Sequence, residues 1–304
     1  MKKNFLFTVL FAALMLVILL PGHADAASLK MKKLAAGKTY KIDLNGGKKE
    51  TVKYTVKDIS ESAQRFTLYV NKKAVFQKDL DDWSVVNSVK TVDFITKDKY
   101  TEILVDVGGG YSNWWVFVLR YVSPKKTIAC TEFTNVKGEM CPLDISRIGS
   151  GTYKNTGKNK LYLQNDTPFH NENFGCYYIL APIRLTGGKM KAILESKYKL
   201  SGVSNYSESY FGGKYYKLKK EMVLYKSASF KQELKTLKEG DTFVPTYIKP
   251  LKPESKEIYD DTVYGYPLFV KVKDAEGTTG WLYFPPWTSE EYSSEYLTAT
   301  PAWG

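Results

Sequence analysis

Histidine and cysteine are nearly absent from this sequence, and arginine occurs only at positions 65, 120, 147 and 184. The 304 residues contain two histidines and three cysteines. His23 belongs to the leader described below, which leaves His170, so no His-x-x-x-His zinc site can be built and any Cys–His dyad must use that residue. Cys176 follows six positions later, within Thr167-Pro168-Phe169-His170-Asn171-Glu172-Asn173-Phe174-Gly175-Cys176. Thiol hydrolases open a helix with the Cys and carry the His on a distant strand, whereas both residues here belong to one loop. They read as a loop His and a buried or disulfide-bonded Cys. Asp81-Asp82 offers two carboxylates, but neighbours on a strand point to opposite faces and cannot flank one glycosidic bond. No catalytic set, metal site or cofactor is expected, although a hydrolase with an unfamiliar site in the first domain stays open as the alternative.

Long hydrophobic runs are also scarce. The only one, Phe5 to Leu20, follows Lys2-Lys3 and ends in Pro21-Gly22 and Ala24-Asp25-Ala26. That three-part pattern predicts a secretory signal peptide over residues 1–26 cleaved near Ala26. The run is short for a membrane span and ends in helix breakers. No Cys follows it for lipid attachment, and no second stretch could cross a bilayer after cleavage.

What the chain does have is lysine and aromatics. The formal charge is +12; loss of Lys2, Lys3 and Asp25 with the leader lowers it by two and raises it by one, to +11. Lysine is a hydrated point charge rather than a bidentate fork, which argues against nucleic-acid readout. In an exported protein such charge suits an anionic wall polymer or acidic headgroups, and equally a plain solvated surface. With 43% hydrophobic and 14% aromatic residues the chain can bury a sizeable core, and its length suggests two domains.

Apolar residues alternate or form short β-branched runs between Gly, Asn and Asp clusters, so the fold class is all-β. Thr39–Leu44 and Glu50–Val56 flank Asn45-Gly46-Gly47 as a hairpin; Phe66–Val70 and Ala74–Phe76 flank Asn71-Lys72-Lys73 as a second. Val89–Phe94, Glu102–Val107 and Trp114–Tyr121 extend the array, and about four further strands follow between Gly151 and Leu200. One of Trp114 and Trp115 should enter the core. Asp43-Leu44-Asn45-Gly46, a Val-Asp-Phe-Ile strand, a Lys-Asp turn and a Glu-Ile-Leu-Val strand resemble FG-GAP or VCBS-like repeats of secreted bacterial proteins. That resemblance implies a propeller-like domain over residues 28–200; a β-sandwich fits the same strands. Ser201 to Gly213, rich in Ser, Gly and Tyr, is the expected linker.

Beyond it, Met222-Val223-Leu224-Tyr225, the turn Leu237-Lys238-Glu239-Gly240-Asp241, Phe243-Val244, Phe269–Lys273 and Gly277-Thr278-Thr279-Gly280-Trp281-Leu282-Tyr283 occur in that order. The ordered set resembles the bacterial SH3 domain and implies a small barrel over residues 214–284, with peptidoglycan peptide as the ligand class. Tyr247 to Pro267 departs from the pattern as a long insertion. Tyr225, Tyr247, Tyr264, Tyr266, Trp281 and Tyr283 are the candidate binding residues, Trp281 dividing between core packing and groove lining. The aromatic tail 285–304 is expected to fold back on the barrel. The resulting expectation is an exported, non-enzymatic protein held at the cell wall by peptidoglycan or an anionic wall polymer. Cys130 and Cys141 flank a hairpin-like stretch and form the possible disulfide.

The Asp43 to Glu50 loop lacks the six to eight oxygen ligands that calcium requires, and Lys48-Lys49 repel a cation. Melting curves in millimolar calcium and in chelator should therefore superimpose. An upward shift in calcium, of the kind that site saturation would produce at about 2.7 kcal/mol, would show that the loop had been misjudged.

Overall fold

A computed structural model describes residues 30–80, 83–108, 114–130, 133–134, 154–166, 169, 171–203, 215–251, 259–260, 263–286 and 294–298, with backbone alone at 114–115, 133–134, 166, 202–203, 259–260 and 263–264. The leader, Cys141, His170 and the Asp81-Asp82 pair lie outside the described residues, as do the side chains of Trp114 and Trp115. All-β is the class found: among the described residues there are strands and turns and no helix.

Among the described residues nine strands make the first half: β1 (Lys32–Leu34), β2 (Thr39–Ile42), β3 (Glu50–Asp58), β4 (Gln64–Val70), β5 (Lys73–Leu80), β6 (Val85–Val92), β7 (Glu102–Gly108), β8 (Trp114–Ser123) and β9 (Lys126–Cys130). They form a sheet in the order β2-β3-β4-β5 and another in the order β1-β6-β7-β8-β9. Both expected hairpins are present, Tyr40 facing Val52 and Val70 facing Lys73 across their turns. The first turn is built by Asp43, whose Oδ1 accepts the N–H groups of Asn45, Gly46 and Gly47 at 3.2, 2.7 and 3.1 Å. This use of the carboxylate accounts for an Asp at that position without a metal. Gly46 has φ +76°, and a Cβ there would lie 2.5 Å from Cβ of Lys99.

The two sheets face each other over one core. Val52, Phe66 and Leu68 of the first meet Ile103, Val105, Phe117 and Leu119 of the second. The second sheet is buried on its other face as well, where Val92, Leu104, Val116, Val118 and Cys130 pack against Leu161, Leu163, Ile183 and Met190. That double burial explains why β7 is covered along its whole length, since a strand between two layers must satisfy both faces.

The third layer opens a larger sheet, from β10 (Phe133–Thr134), β11 (Lys154–Asn155), β12 (Leu161–Asp166), β13 (Tyr177–Thr186), β14 (Lys189–Ala192) and β15 (Tyr198–Val203) through β16 (Tyr216–Lys217), β17 (Met222–Tyr225), β18 (Glu233–Leu237) and β19 (Thr242–Pro250) to β22 (Leu268–Asp274) and β23 (Thr279–Phe284). A separate ribbon pairs β20 (Tyr259–Asp260) with β21 (Val263–Tyr264). The order β13-β15-β19-β22-β23-β17-β18 runs unbroken across the region expected to separate two domains. Residues 201–203, expected to begin the linker, are strand, and 204–213 lie outside the described residues. The core is shared accordingly: Phe169, Phe174, Tyr177, Ile179 and Tyr198 belong to one cluster with Tyr216, Leu224, Phe243, Val270, Leu282 and Phe284. Each sheet has unpaired end strands, and the largest branches at β13 and β19, so none of the described sheets closes into a barrel.

The loop after β12 joins these parts. The Asn171 side-chain amide donates to the carbonyls of Tyr266 and Pro285 at 2.6 and 3.1 Å, while its oxygen accepts Phe174 N–H at 3.1 Å. The Asn173 amide also donates to Pro285 O, at 3.2 Å, and its oxygen accepts Glu295 N–H, at 3.2 Å. Both asparagines are buried, so these bonds replace the water that their amides give up. The tail folds back as expected at residues 294–298: Leu297 bridges Leu218, and the Tyr296 ring meets Phe284 edge-on.

One ion pair is held deep in the first half. Glu102 is fully buried; it accepts from Arg120 and from Phe94 N–H, and Arg120 also reaches Asp98 at 3.1 Å and stacks 4.7 Å from the Tyr100 ring. Burial pushes the Glu102 carboxyl above its ordinary range, with Arg120 opposing. Arg120→Leu should cost about 3–5 kcal/mol in urea unfolding at neutral pH, because an unpaired carboxylate is left inside. Without Arg120 the folded-state pKa of Glu102 rises further above its unfolded value near 4.5, so the folded state holds the extra proton and the deficit should shrink as pH falls toward that value. A deficit independent of pH would contradict this assignment.

Candidate functional site

The outer face of the C-terminal sheet is the surface that gathers most of the candidate residues. Along β22 and β23, Leu268, Val270, Val272, Leu282 and Phe284 enter the core. Alternation therefore turns Phe269, Lys271, Lys273, Trp281 and Tyr283 to the other side. Direct cross-strand partners lie side by side on one face. Tyr225 faces Trp281, Trp281 faces Lys271, Lys271 faces Tyr247, and Tyr247 faces Lys199. One row thus runs across β17, β23, β22, β19 and β15. A second row sets Tyr283 beside Phe269 and Phe269 beside Lys249.

The two glycines of Gly277-Thr278-Thr279-Gly280-Trp281 have distinct physical roles. Gly277 has φ +89° in the turn where Asp274 accepts Thr278 N–H at 2.7 Å through Oδ1. Gly280 lets β23 approach β17, for a Cβ there would sit 2.6 Å from Leu224 Cγ and 2.8 Å from Tyr225 O. Trp281 is thereby set next to Tyr225. The turn is also held electrostatically: Lys235 lies 2.5 Å from Asp274 and 2.7 Å from Glu276. Burial would raise the Asp274 carboxyl, but Lys235 and the Thr278 N–H outweigh it and hold it below the ordinary carboxylate range. The turn at 237–241 forms as expected, Lys238 N–H donating to Asp241 Oδ2 at 2.7 Å with Gly240 at φ +86°.

Of the six expected binding residues, Tyr225, Trp281 and Tyr283 come together. Phe230 and Phe269 join them and were not anticipated. Phe230 is 57% exposed, yet its ring lies 4.9 Å from Tyr283, 5.1 Å from Phe269 and 5.5 Å from Tyr225. Lys249 Nζ donates to Ala228 O at 3.2 Å and secures the loop that carries Phe230. The break after Met222–Tyr225 marks Lys226-Ser227-Ala228-Ser229 as a loop, but nothing in its composition signals that it folds over the sheet. Trp281 is 9% exposed and lies outside the core cluster, on the face opposite it.

Tyr247 sits one strand beyond Lys271. The sequence places it at the start of an insertion, whereas residues 247–250 continue β19 past a bulge at Pro245 to Tyr247. Tyr266 is elsewhere: it is buried, meets Phe169 edge-on at 5.6 Å and holds Asn171 through its carbonyl, which is a packing role. Tyr264 pairs with Tyr259 in the small ribbon, and its side chain lies outside the described residues. The contacts of 294–298 are with Asn173, Lys217, Leu218, Lys219, Lys220 and Phe284, away from the aromatic rows.

Chemistry of other kinds finds little support. Among the described residues no three His, Cys, Asp or Glu side chains are grouped to hold a metal. Cys130 is buried, its thiol pushed up to about 11 chiefly by that burial, and Cys176 is buried beside the asparagine loop. A thiol so poor in thiolate is not an activated nucleophile. Compared with protein-family models, with characterised proteins and with solved structures, the chain matches none.

Gly280→Ala should separate β17 from β23 and cost about 1–3 kcal/mol by overpacking against Leu224. Chemical denaturation measures the loss, and a shift in tryptophan emission checks that the Trp281 environment moves with it. An unchanged midpoint would mean that the close approach carries no weight.

Proposed function

We propose that this protein is exported and binds the cell envelope, without catalysing a reaction, through the aromatic and lysine-bearing face of its C-terminal sheet. In this reading residues 214–284 are an SH3-like unit, supported by the order of turns and strands and by the physical roles of Gly277 and Gly280. The part of the first domain over residues 32–130 is sandwich-like rather than a propeller, supported by two sheets facing over one core, while residues 154–200 join the C-terminal sheet. The leader over 1–26 supplies export, and the +11 charge of the mature chain favours retention among wall polyanions.

The observation that carries the reading is the cluster Tyr225, Phe230, Phe269, Trp281 and Tyr283, in which a largely exposed Phe is mounted on other rings. Aromatic faces presented on a rigid sheet receive the apolar faces of peptides or sugars, and nearby lysines add a salt-sensitive attraction to peptidoglycan or an anionic wall polymer. Because the core is shared with residues 169–198 and with Leu297, the binding unit is the whole mature chain rather than residues 214–284 alone.

Sedimentation of mature protein with purified wall sacculi at 0.1 M and 1 M salt tests this. Charge attraction fades as the Debye length falls from about 10 Å to about 3 Å, while aromatic contact persists. Phe230→Ala should weaken the salt-resistant part about tenfold, equivalent to about 1.4 kcal/mol, without altering the melting temperature. Trp281→Ala should weaken it as well, with circular dichroism confirming the fold. Absence of sedimentation by folded protein at low salt would end the wall-binding reading.

A further inference from the structure

Around Tyr247 the sheet places two ammonium groups and a third lysine as its strand partner. Lys197 Nζ lies 5.5 Å and Lys271 Nζ 5.9 Å from the centre of the Tyr247 ring, and Lys199 is its direct partner on β15. Among the described residues none of the three forms an ion pair. Elsewhere lysines on this half of the chain do find carboxylates: Lys160 with Glu195, Lys220 with Glu295, Lys235 with Asp274 and Glu276, Lys238 with Glu221. The Tyr247 cluster is therefore a concentration of like charge around a half-buried ring, with anion-binding capacity unspent inside the chain.

The row gives that capacity a direction and a spacing. Lys271 and Lys199 stand two strands apart with Tyr247 between them, and neighbouring strands are about 4.8 Å apart. An anionic group at each lysine would be separated by about 10 Å, with a CH-bearing spacer lying on the Tyr247 ring. On the other side of Lys271 the row continues past the buried Trp281 to Tyr225, whose half-buried ring is where the next spacer would lie. Glu233, the partner of Tyr225 on β18, closes that end with negative charge. A ligand matching this order is a linear polymer crossing the strands, alternating a compact anion with a polyol or sugar. A wall stem peptide advances only about 3.3 Å per residue when extended, so its successive charges do not match that interval unless two residues intervene. Lysine binds phosphate as a rotatable point charge, without the planar fork that arginine uses for bidentate pairing.

We infer that Lys197, Lys199, Lys271 and Tyr247 form a phosphate subsite that receives a linear polyol-phosphate polymer of the cell wall, running across the strands toward Trp281. This rests on the wall-binding reading above and narrows its ligand. Two of its residues, Lys197 and Lys199, lie before the region that the sequence marks as a boundary.

The test is titration calorimetry of full-length mature protein with a purified polyol-phosphate oligomer across a salt series. For flexible single-stranded polyanions each neutralised phosphate contributes about 0.7 to the slope of log K against log salt, so three contacts should give a slope of about −2. The double variant Lys197→Gln/Lys199→Gln should reduce the slope to about −0.7. The control Lys48→Gln/Lys49→Gln, which removes the same charge from the exposed Asp43–Glu50 turn, should leave it unchanged. Tyr247→Ala should weaken binding at every salt concentration without altering the slope. Equal losses from the two double variants would mean diffuse charge and overturn the subsite, as would equal affinity for an oligoglutamate of matched length. Sacculus sedimentation that depends on Phe230 and Trp281 but is indifferent to Lys197 and Lys199 would refute the phosphate subsite and leave wall binding standing. Loss of sedimentation for every protein would defeat both.

Discussion

Two backbone pairings, Tyr198 with Ile248 and Lys199 with Tyr247, join the strands on either side of residues 204–213 into one sheet. Buried peptide groups must find partners, and β15 meets that demand with β19 at Tyr198 and Lys199 and with β13 from Leu200 to Val203. Much of the C-terminal structure depends on this continuity. It lets Tyr198, Phe169 and Phe174 share a core with β22 and β23, and it aligns Lys199 with Tyr247. The asparagine loop serves the same junction, supplying buried carbonyls at Tyr266 and Pro285 with donors that no regular strand provides.

The two halves manage polarity differently. In the first, the sheet carrying β7 is covered on both faces, so charge there must be neutralised internally; Glu102 and Arg120 pair, with the Tyr100 ring against the guanidinium. In the second, the sheet packs one face into the shared core. Its other face carries an aromatic cluster in which Phe269 and Trp281 are buried and Phe230 is exposed, beside Lys197, Lys199 and Lys271, which form no ion pair among the described residues. An exposed aromatic ring already ordered by neighbouring rings loses little conformational freedom on contact, even when a loop carries it. The mounting of Phe230 on Phe269 and Tyr283 is an arrangement of that kind.

Short-range chemistry was legible from the residues alone. Alternation announced β3, Asn45-Gly46-Gly47 announced the turn that joins it to β2, and Gly277 and Gly280 marked a tight approach to Trp281, because each depends on backbone conformations or spacings within a few positions. The candidates Tyr225, Trp281 and Tyr283 were found in the same way, through strands of recognisable period. Phe230 escaped because loop composition does not say where a loop lies. Tyr266 was misjudged because an aromatic beside prolines looks the same whether it faces solvent or Phe169.

By itself, then, the sequence determined the all-β class, the turns, the shortage of metal and nucleophile sets, and the excess of lysine over arginine, all of which are local or compositional. Tertiary structure alone decided which strands are neighbours. Strand pairing is a relation between distant segments, and a run of alternating residues carries no mark of its partner. Hence the boundary read at Ser201 became part of a continuous sheet, and Lys199 and Tyr247, forty-eight positions apart in the chain, became direct neighbours on one face.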